Sequence, residues 1–180
     1  MIVLIGESGA GKSTVQKELE KMGIRKVVTC TTRPMRPGEV NGVDYNFISE
    51  DEFARMAEAG EFAEFASYRN WRYGTPKEAC GKPDTCAALT PAGLRALKRA
   101  EIPCLSFYLD VDRRSRLIAI LKRGDDIEEA YRRSLSDLGQ FDAIRFEADI
   151  TIENQKYQMP AQTLADFIYS TYEDAKKYMY

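Results

Sequence analysis

A glycine-rich segment near the beginning of the sequence contains the residue types that bind phosphate. Residues 6–13 read GESGAGKS and fit the pattern G-x-x-x-x-G-K-[ST] at every fixed position. The glycines let backbone N–H groups turn toward an anion, and the following helix adds the positive end of its dipole. In this pattern the lysine reaches the β and γ phosphates of ATP, and the serine hydroxyl binds Mg²⁺. We therefore predict an ATP-binding phosphate loop, with the metal on Ser13, formed by Gly6, Ser8, Gly9, Ala10, Gly11, Lys12, Ser13 and Thr14.

A second candidate phosphate site follows in the segment TTRPMRPGEVNGVDYNF, residues 31–47. Arg33 and Arg36 each precede a proline, which favours an extended backbone at both positions. A polyproline-like segment has about three residues per turn, so both guanidinium groups would project on the same side. Two such groups suit one dianionic phosphate, and Tyr45 can donate its hydroxyl to the same oxygens. The alternative interpretation is a solvated basic loop.

The elements that must position these residues alternate between strands and helices. Continuous apolar runs predict buried strands, at MIVLI, RKVVTC, TCAAL, IPCLSFYL and ADITIEN. Helical spacing predicts helices, at residues 13–22, 50–59, 90–100 and 112–123, from 127 onward, and near the C-terminus with Leu164, Ile168 and Tyr172 inward. Ser49 and Glu52 form a capping box, and Thr90 with Pro91 opens the third helix. This alternation predicts an α/β fold with a doubly wound parallel sheet and two inserts.

Composition narrows the classes of function. The 180 residues are 44% hydrophobic and 30% charged, which is typical of a globular domain, and a net charge of −2 provides no general attraction to nucleic acid or membranes. We therefore expect neither partner, and a cytoplasmic location. The absence of histidine removes the usual acid–base residue. Four cysteines without CxxC spacing are expected to be free thiols in a reducing compartment: Cys30, Cys80, Cys86 and Cys104.

Taken together, these motifs resemble the guanylate kinase family. The resemblance rests on the phosphate loop, the segment 31–47, EFAEFA at 61–66 and YGT at 73–75. It implies a nucleoside monophosphate kinase fold in one domain, 1–180, with a core of 1–30, 76–111 and 146–180, a small antiparallel GMP-binding lobe at 31–75 and a helical lid at 112–145. It further implies that the phosphate and guanine of GMP are bound by Thr29, Arg33, Arg36, Tyr45, Glu64, Tyr73 and Thr75, and that Asn154 lies near the adenine of ATP.

The chemistry of Glu64 agrees with a role in reading guanine. An ionised carboxylate only accepts hydrogen bonds, and guanine offers two adjacent donors at N1 and its 2-amino group. Adenine presents a lone pair at N1 and would meet the carboxylate with repulsion. Sites built around such hydrogen bonds can reject the wrong partner by ~10⁴-fold. The alternative is a surface residue on a strand, since Phe62 and Phe65 do not alternate cleanly with it.

Clustered arginines flank the polar break GDD at 124–126. In the family, a basic lid closes over the donor phosphates and its arginines stabilise the transferring phosphoryl group. The resemblance implies Arg123 as the first lid arginine and Arg133 as the second, with Arg132 as an alternative, so Lys12, Arg123 and Arg133 are the predicted catalytic residues. Ala119 stands where the family often has a further arginine, for which Arg116 is a candidate replacement. The alternative is an exposed helix with solvated charges.

The segment CAALTPAG departs from the family pattern. The family usually has D-x-D here, with acids near the water shell of Mg²⁺, whereas this chain has Leu89-Thr90-Pro91. Thr90 either contacts a metal-bound water or simply caps the next helix. This departure leaves the reaction rate and the acceptor preference open. The reaction itself remains feasible, because phosphoryl transfer depends mostly on positioning and charge neutralisation.

The leading hypothesis is Mg²⁺-assisted phosphorylation of GMP or dGMP by ATP. The acceptor atom is already a phosphate oxygen, so no histidine is needed as a base. One alternative is a related kinase with another acceptor, such as a sugar phosphate or a different deoxynucleotide. Another is a non-catalytic guanylate-kinase-like binding module, although such modules typically lose the phosphate loop that this chain retains. The sequence leaves open whether the chain is a monomer or a dimer.

Overall fold

The computed structural model describes residues 1–35, 38–68 and 70–179, and its strands and helices follow the predicted alternation. In those residues the strands are β1 (Ile2–Ile5), β2 (Arg25–Lys26), β3 (Cys30–Thr31), β4 (Asn46–Phe47), β5 (Phe62–Tyr68), β6 (Trp71–Pro76), β7 (Thr85–Ala88), β8 (Leu105–Asp110) and β9 (Ile150–Glu153). The α-helices are α1 (Lys12–Lys21), α2 (Glu50–Glu58), α3 (Pro91–Arg99), α4 (Arg113–Lys122), α5 (Ile127–Asp137), α6 (Ile144–Glu147) and α7 (Ala161–Lys176).

The larger sheet is parallel throughout and confirms the predicted α/β fold. Its strand order is β2-β7-β1-β8-β9, with β1 in the centre. All four residues of β1 are buried, because one face of the sheet packs against α1 and α7 and the other against α3 and α6. The carboxyl ends of parallel strands meet at one edge, where open α/β sheets bind their ligands. The phosphate loop leaves β1 at that edge.

The smaller sheet has the strand order β4-β3-β6-β5 and is mixed. The pairs β3–β6 and β5–β6 are antiparallel, as the predicted antiparallel lobe requires, but β3 and β4 run parallel. Helix α2 covers this sheet through Phe53, whose ring centroid lies 4.6 Å from that of Phe62. The capping box that opens α2 is partly confirmed, since Ser49 Oγ accepts a hydrogen bond from the Glu52 amide.

The predicted single strand RKVVTC is wrong in one respect: it is divided between the two sheets. Its first residues form β2 beside β7, whereas Cys30 and Thr31 form β3 of the small sheet. Between them, Val27 donates its N–H to the large sheet at Cys86, and the Thr29 carbonyl accepts a hydrogen bond from Asn46 of the small sheet. An apolar run that is continuous in sequence thus connects the two sheets.

The predicted helix termini agree with the structure where their capping residues are local. Thr90 Oγ1 accepts a hydrogen bond from the Gly93 amide at the start of α3, and Pro91 is its first residue. Leu164, Ile168 and Tyr172 are buried on α7, as predicted. The short helix α6 was not predicted. Among the described helices, none has the length and apolarity that a membrane span requires.

Candidate active site

The phosphate loop connects β1 to α1 and turns sharply at its glycines. Gly9 has a φ of +84°, and a Cβ there would lie 2.7 Å from the carbonyl oxygen of Arg116. Only glycine fits at this position, because both the backbone conformation and the contact with α4 exclude a side chain. The predicted loop residues are therefore packed directly against the first turns of the lid region.

Glu7, a variable position of the loop motif, is held from two directions. Arg116 Nη2 lies 3.2 Å from Glu7 Oε1, and Tyr108 donates its hydroxyl to Glu7 Oε2 over 3.1 Å. Arg116 is almost fully buried and also donates its Nε–H to the Val111 carbonyl at 2.9 Å. The candidate replacement for the missing lid arginine thus lies beside the loop and is paired with a carboxylate.

Two further contacts hold the apex of the loop, and the sequence contained no signal for either. The Ser8 amide donates a hydrogen bond to Asp137 Oδ2 over 2.7 Å, and Tyr157 donates its hydroxyl to the Gly9 carbonyl over 2.6 Å. Asp137 ends α5, whereas Tyr157 follows β9. The apex is therefore in contact with the lid region and with the segment that precedes α7.

Lys12 lies folded back along the loop. Its Nζ donates to the carbonyls of Gly6 and Glu7, at 2.5 and 3.2 Å. Burial lowers the pKa of Lys12 to about 8, against the opposing effect of the Asp137 and Glu7 carboxylates. A bound phosphate would oppose this burial effect by favouring the charged ammonium.

A cavity of about 320 Å³ adjoins the second half of the phosphate loop and the start of α1. Its walls are loop and α1 residues 9–15, Arg123 at the end of α4, and an apolar portion that includes Ile120, Met159 and Leu164. Asn154 also lines it, but its amide is engaged with the backbone of Met159, at 3.1 and 2.8 Å. The predicted adenine-site residue thus orders the wall of the cavity. The volume and the apolar wall suit a nucleoside base.

The two predicted lid arginines share one carboxylate. Arg123 forms a bidentate pair with Asp125, at 2.9 and 2.5 Å, and Arg133 Nη1 lies 3.0 Å from Asp125 Oδ2. Arg133 also binds Glu129 at 2.9 Å. Arg132 points elsewhere, to Glu128 at 3.4 Å. The structure therefore brings Arg133, rather than Arg132, next to Arg123.

Glu64 and Thr75 face each other across β5 and β6. Thr75 Oγ1 donates to Glu64 Oε1 over 2.6 Å, and Thr75 is fully buried. Burial raises the pKa of Glu64, and the hydrogen bond from Thr75 opposes that shift. Gly93 of α3 lies against the same side chain, so that a Cβ there would be 3.1 Å from Glu64 Cδ and Oε2. A half-buried carboxylate with oxygens that can accept from a base is thus built from two sheet strands and one helix.

Arg33 is enclosed by aromatic rings and an acid. Its guanidinium lies 5.4 Å from the ring centroid of Tyr45 and 5.5 Å from that of Phe47, and it pairs with Glu39 at 2.7 and 2.9 Å. The rings of Tyr45 and Tyr73 are neighbours, with centroids 6.1 Å apart. Arg36, the second predicted arginine, lies outside the described residues. The structure therefore brings Arg33, Tyr45 and Tyr73 together.

The segment 89–91 behaves as a helix start in the structure. Leu89 is buried in the core, and the Thr90 hydroxyl caps α3, which favours the capping interpretation over a metal contact. The nearby acids are engaged elsewhere, Asp84 with Lys176 and Asp110 with Arg145. In the part of the chain that the structure describes, no three acidic or cysteine side chains are grouped as a metal site. The four cysteines are free thiols, as predicted.

Comparison with known proteins places these features in a family. A family model described as guanylate kinase matches residues 1–171. A guanylate kinase of Symbiobacterium thermophilum is 39% identical over 146 residues, covering 76% of this chain and 69% of that protein. One from Nostoc sp. is 33% identical over 177 residues, covering 91% and 86%. The crystal structure of guanylate kinase from Anaplasma phagocytophilum superposes with a TM-score of 0.71 at 25% identity, covering 97% of this chain and 84% of that one.

Proposed function

The chain belongs to the guanylate kinase family, and on this basis we propose that it transfers the γ-phosphoryl group of ATP to the phosphate of GMP or dGMP. The observation that carries the proposal is the half-buried Glu64 carboxylate, held by Thr75 in a chain that also has a complete phosphate loop. In this proposal residues 31–75 act as the GMP-binding lobe, residues 112–145 as the lid, and the rest as the core.

Guanine recognition rests on the oxygens of Glu64. One oxygen accepts from Thr75, which orients the carboxylate, and the remaining lone pairs of the two oxygens can accept from the N1 and 2-amino donors of guanine. A buried acceptor left without a donor costs free energy, so a base without these donors would be rejected. Arg33, Tyr45 and Tyr73 would bind the phosphate of GMP, with Arg33 exchanging Glu39 for it. Arg36 is proposed as the second phosphate ligand, and Thr29 as a neighbour of the base.

ATP would lie with its phosphates on the loop and its base in the cavity that Asn154 helps to shape. Gly6 to Thr14 supply backbone donors, while Lys12, Arg123 and Arg133 supply positive charge. The Ser13 hydroxyl is exposed at the first turn of α1 without a partner among the described residues, which fits a metal held mainly by phosphates and water. When bound, Mg²⁺ neutralises the negative charge that the phosphates bring together. The lid and the lobe would exclude water from the transfer.

We further propose a cellular location and a set of partners for the protein. Free thiols suit a reducing compartment, so we place the chain in the cytoplasm. Its partners are proposed to be the nucleotides ATP and GMP or dGMP, without nucleic acid or membrane.

A panel of acceptors tests the proposed function. With ATP and Mg²⁺, we expect coupled ADP release with GMP or dGMP at least ~10²-fold above AMP, CMP, UMP and sugar phosphates. Turnover with a sugar phosphate or another deoxynucleotide but not with GMP would favour a kinase with a different acceptor. Tight nucleotide binding without any turnover would favour a binding module. Equal rates with AMP and GMP would reject the role of Glu64.

A further inference from the structure

A second cavity, of about 250 Å³, adjoins the loop at Glu7 and is distinct from the cavity that contains Asn154. The start of α4 and the end of α5 form its walls, together with Tyr108 and the segment up to Arg145. This volume is smaller than the roughly 300 to 1,000 Å³ of pockets for drug-sized molecules, so it suits phosphate groups better than a base. Three guanidinium groups line it, from Arg113, Arg116 and Arg145.

The ion pairs of these three arginines differ. Arg116 is paired with Glu7, and Arg145 with Asp110 and Glu153. Arg113 forms no ion pair with any carboxylate in the described ranges. Its Nε donates instead to the hydroxyl of Ser134 over 2.9 Å, and Ser134 is only 5% exposed. Because guanidinium stays charged at any physiological pH, Arg113 presents to the cavity a positive charge that is not held in an ion pair, although Glu7, Asp137 and Asp142 also line the cavity.

The anchoring of Arg113 leaves its terminal nitrogens available. The Nε bond to a buried hydroxyl fixes the direction of the side chain, while Nη1 and Nη2 have no partner among the described residues. This pair of nitrogens is the part of the guanidinium that binds phosphate with two parallel hydrogen bonds. Arg114, the next residue, is equally exposed but does not line the cavity.

The cavity also contains anionic side chains, and one of them, Asp137, lies on the same helix as the anchor of Arg113. The Asp137 carboxylate accepts from the Ser8 amide of the loop at 2.7 Å. Asp137 lies three residues after Ser134, and side chains at this spacing are neighbours on a helix. A phosphate oxygen that replaced the carboxylate on the Ser8 amide would therefore lie within one helical turn of the group that anchors Arg113.

We propose that Arg113 is a further phosphate-binding residue of the transfer reaction, reaching the phosphates from the Glu7 side while Arg123 approaches from the cavity of Asn154. One helix, α4, thus supplies a guanidinium at each end, on both sides of the loop. The inference depends on the proposed phosphoryl transfer, and it adds a group that neither the loop motif nor the lid pattern indicated.

Substitution of adjacent arginines tests this role. We expect Arg113→Ala to lower kcat by ~10²-fold, as loss of one transition-state donor does, and Arg113→Lys to recover part of that loss. The control Arg114→Ala removes the same charge from the same helical turn and should stay within about twofold of wild type. The melting temperature of Arg113→Ala should lie within about 4 °C of wild type, because one hydrogen bond is lost.

Binding measurements separate this inference from the proposed function. The probes are ATP and a bisubstrate analogue in which adenosine and guanosine are joined through five phosphates. Weaker binding of either probe to Arg113→Ala than to Arg114→Ala supports phosphate binding by Arg113. This result would stand even if the wild type transferred no phosphate to GMP and the proposed function failed. Equal kcat values and equal affinities in the two alanine variants would overturn the role of Arg113, whatever the wild-type activity.

Discussion

The Ser8 amide donates a 2.7 Å hydrogen bond to the carboxylate of Asp137, so an acid of the lid region occupies a backbone donor of the phosphate loop. Arg116 lies 4.0 Å from the same carboxylate oxygen, which adds positive charge around it. A carboxylate accepts hydrogen bonds with charge assistance, as a phosphate oxygen does. ATP must therefore displace Asp137 or bind beside its negative charge.

Neutralising Asp137 should strengthen the binding of ATP. We expect Asp137→Asn to lower the dissociation constant of ATP by roughly five- to tenfold, since a neutral amide competes less well for the Ser8 amide than a charged acceptor does. Asp142→Asn is the matched control, because Asp142 lines the same cavity and has no hydrogen-bond or ion-pair partner in the described part of the chain. Calorimetric titration with ATP measures both variants. Equal dissociation constants in the two variants would contradict this prediction.

Gly93 should control guanine recognition through its lack of a side chain. A Cβ at this position would lie 3.1 Å from Cδ and Oε2 of Glu64, so the carboxylate of Gly93→Ala must shift by a few tenths of an ångström. We expect kcat/KM for GMP to fall by about tenfold. Alanine has a higher helix propensity than glycine, by up to about 1 kcal/mol, and this difference limits any loss of thermal stability. In a double-mutant cycle, Gly93→Ala should have no effect on kcat/KM for GMP when Glu64 is already replaced by alanine. Independent effects would show that Gly93 acts elsewhere.

The ionisation of Glu64 should make GMP binding depend on pH, and ionised Glu64 should lower the stability of the folded chain. Burial raises the pKa of Glu64 in the folded chain above its value in the unfolded chain. Between these two pKa values the folded chain binds more protons than the unfolded chain does. The contribution of Glu64 to the free energy of unfolding therefore falls as the pH rises through this range. At pH 7 without nucleotide, Glu64→Gln should therefore melt at a higher temperature than wild type. GMP binding should weaken as pH falls through the raised pKa.

The same variant should lose its preference for guanine. Glu64→Gln should reduce kcat/KM for GMP by ~10² to 10⁴-fold, because glutamine has only one accepting oxygen and its NH₂ group would face one of the two guanine donors. Glu61→Gln, three residues earlier and exposed, is the control. Arg36→Ala should instead weaken all monophosphates alike. An equal effect of Glu64→Gln on kcat/KM for AMP and for GMP would overturn the assignment of Glu64 to guanine recognition.

Lys12 should take up a proton when ATP binds. Its pKa is about 8 in the free chain, so above pH 8 an increasing fraction is neutral, and the phosphates of ATP favour the charged form. At pH 8.5 we expect net proton uptake with ATP, measured as a dependence of the binding enthalpy on the ionisation enthalpy of the buffer. GMP, which is fully ionised at this pH and is proposed to bind at the Glu64 site, should show none. Absence of uptake with ATP would mean that Lys12 is already charged in the free chain.

Features that depend on neighbouring residues in the sequence could be predicted. The loop motif, the Ser49 and Thr90 caps and the buried face of α7 are all local, and the structure contains each of them. The continuous apolar runs and their alternation with helices were sufficient to predict a parallel sheet with β1 in it. The division of RKVVTC between two sheets was not predictable, because an apolar run has the same pattern in either sheet.

The residues that hold the loop apex could not be predicted from spacing. Asp137 lies 129 residues from Ser8, and Tyr157 lies 148 residues from Gly9. A carboxylate at the end of a charged helix or a tyrosine after a strand has no pattern that relates it to a distant backbone group. Arg113 was hidden for a similar reason, since three arginines within four residues resemble a solvated basic helix until the cavity distinguishes them.

The hydrogen bond from Tyr157 to the Gly9 carbonyl has a consequence for the order in which the chain becomes competent during synthesis. The glycine-rich turn leaves the ribosome well before Tyr157, which lies 148 residues after Gly9. Until that tyrosine has emerged and docked, the turn lacks a constraint on its shape. Nascent chains that stop short of it would therefore hold the triphosphate poorly, although they contain every residue of the motif.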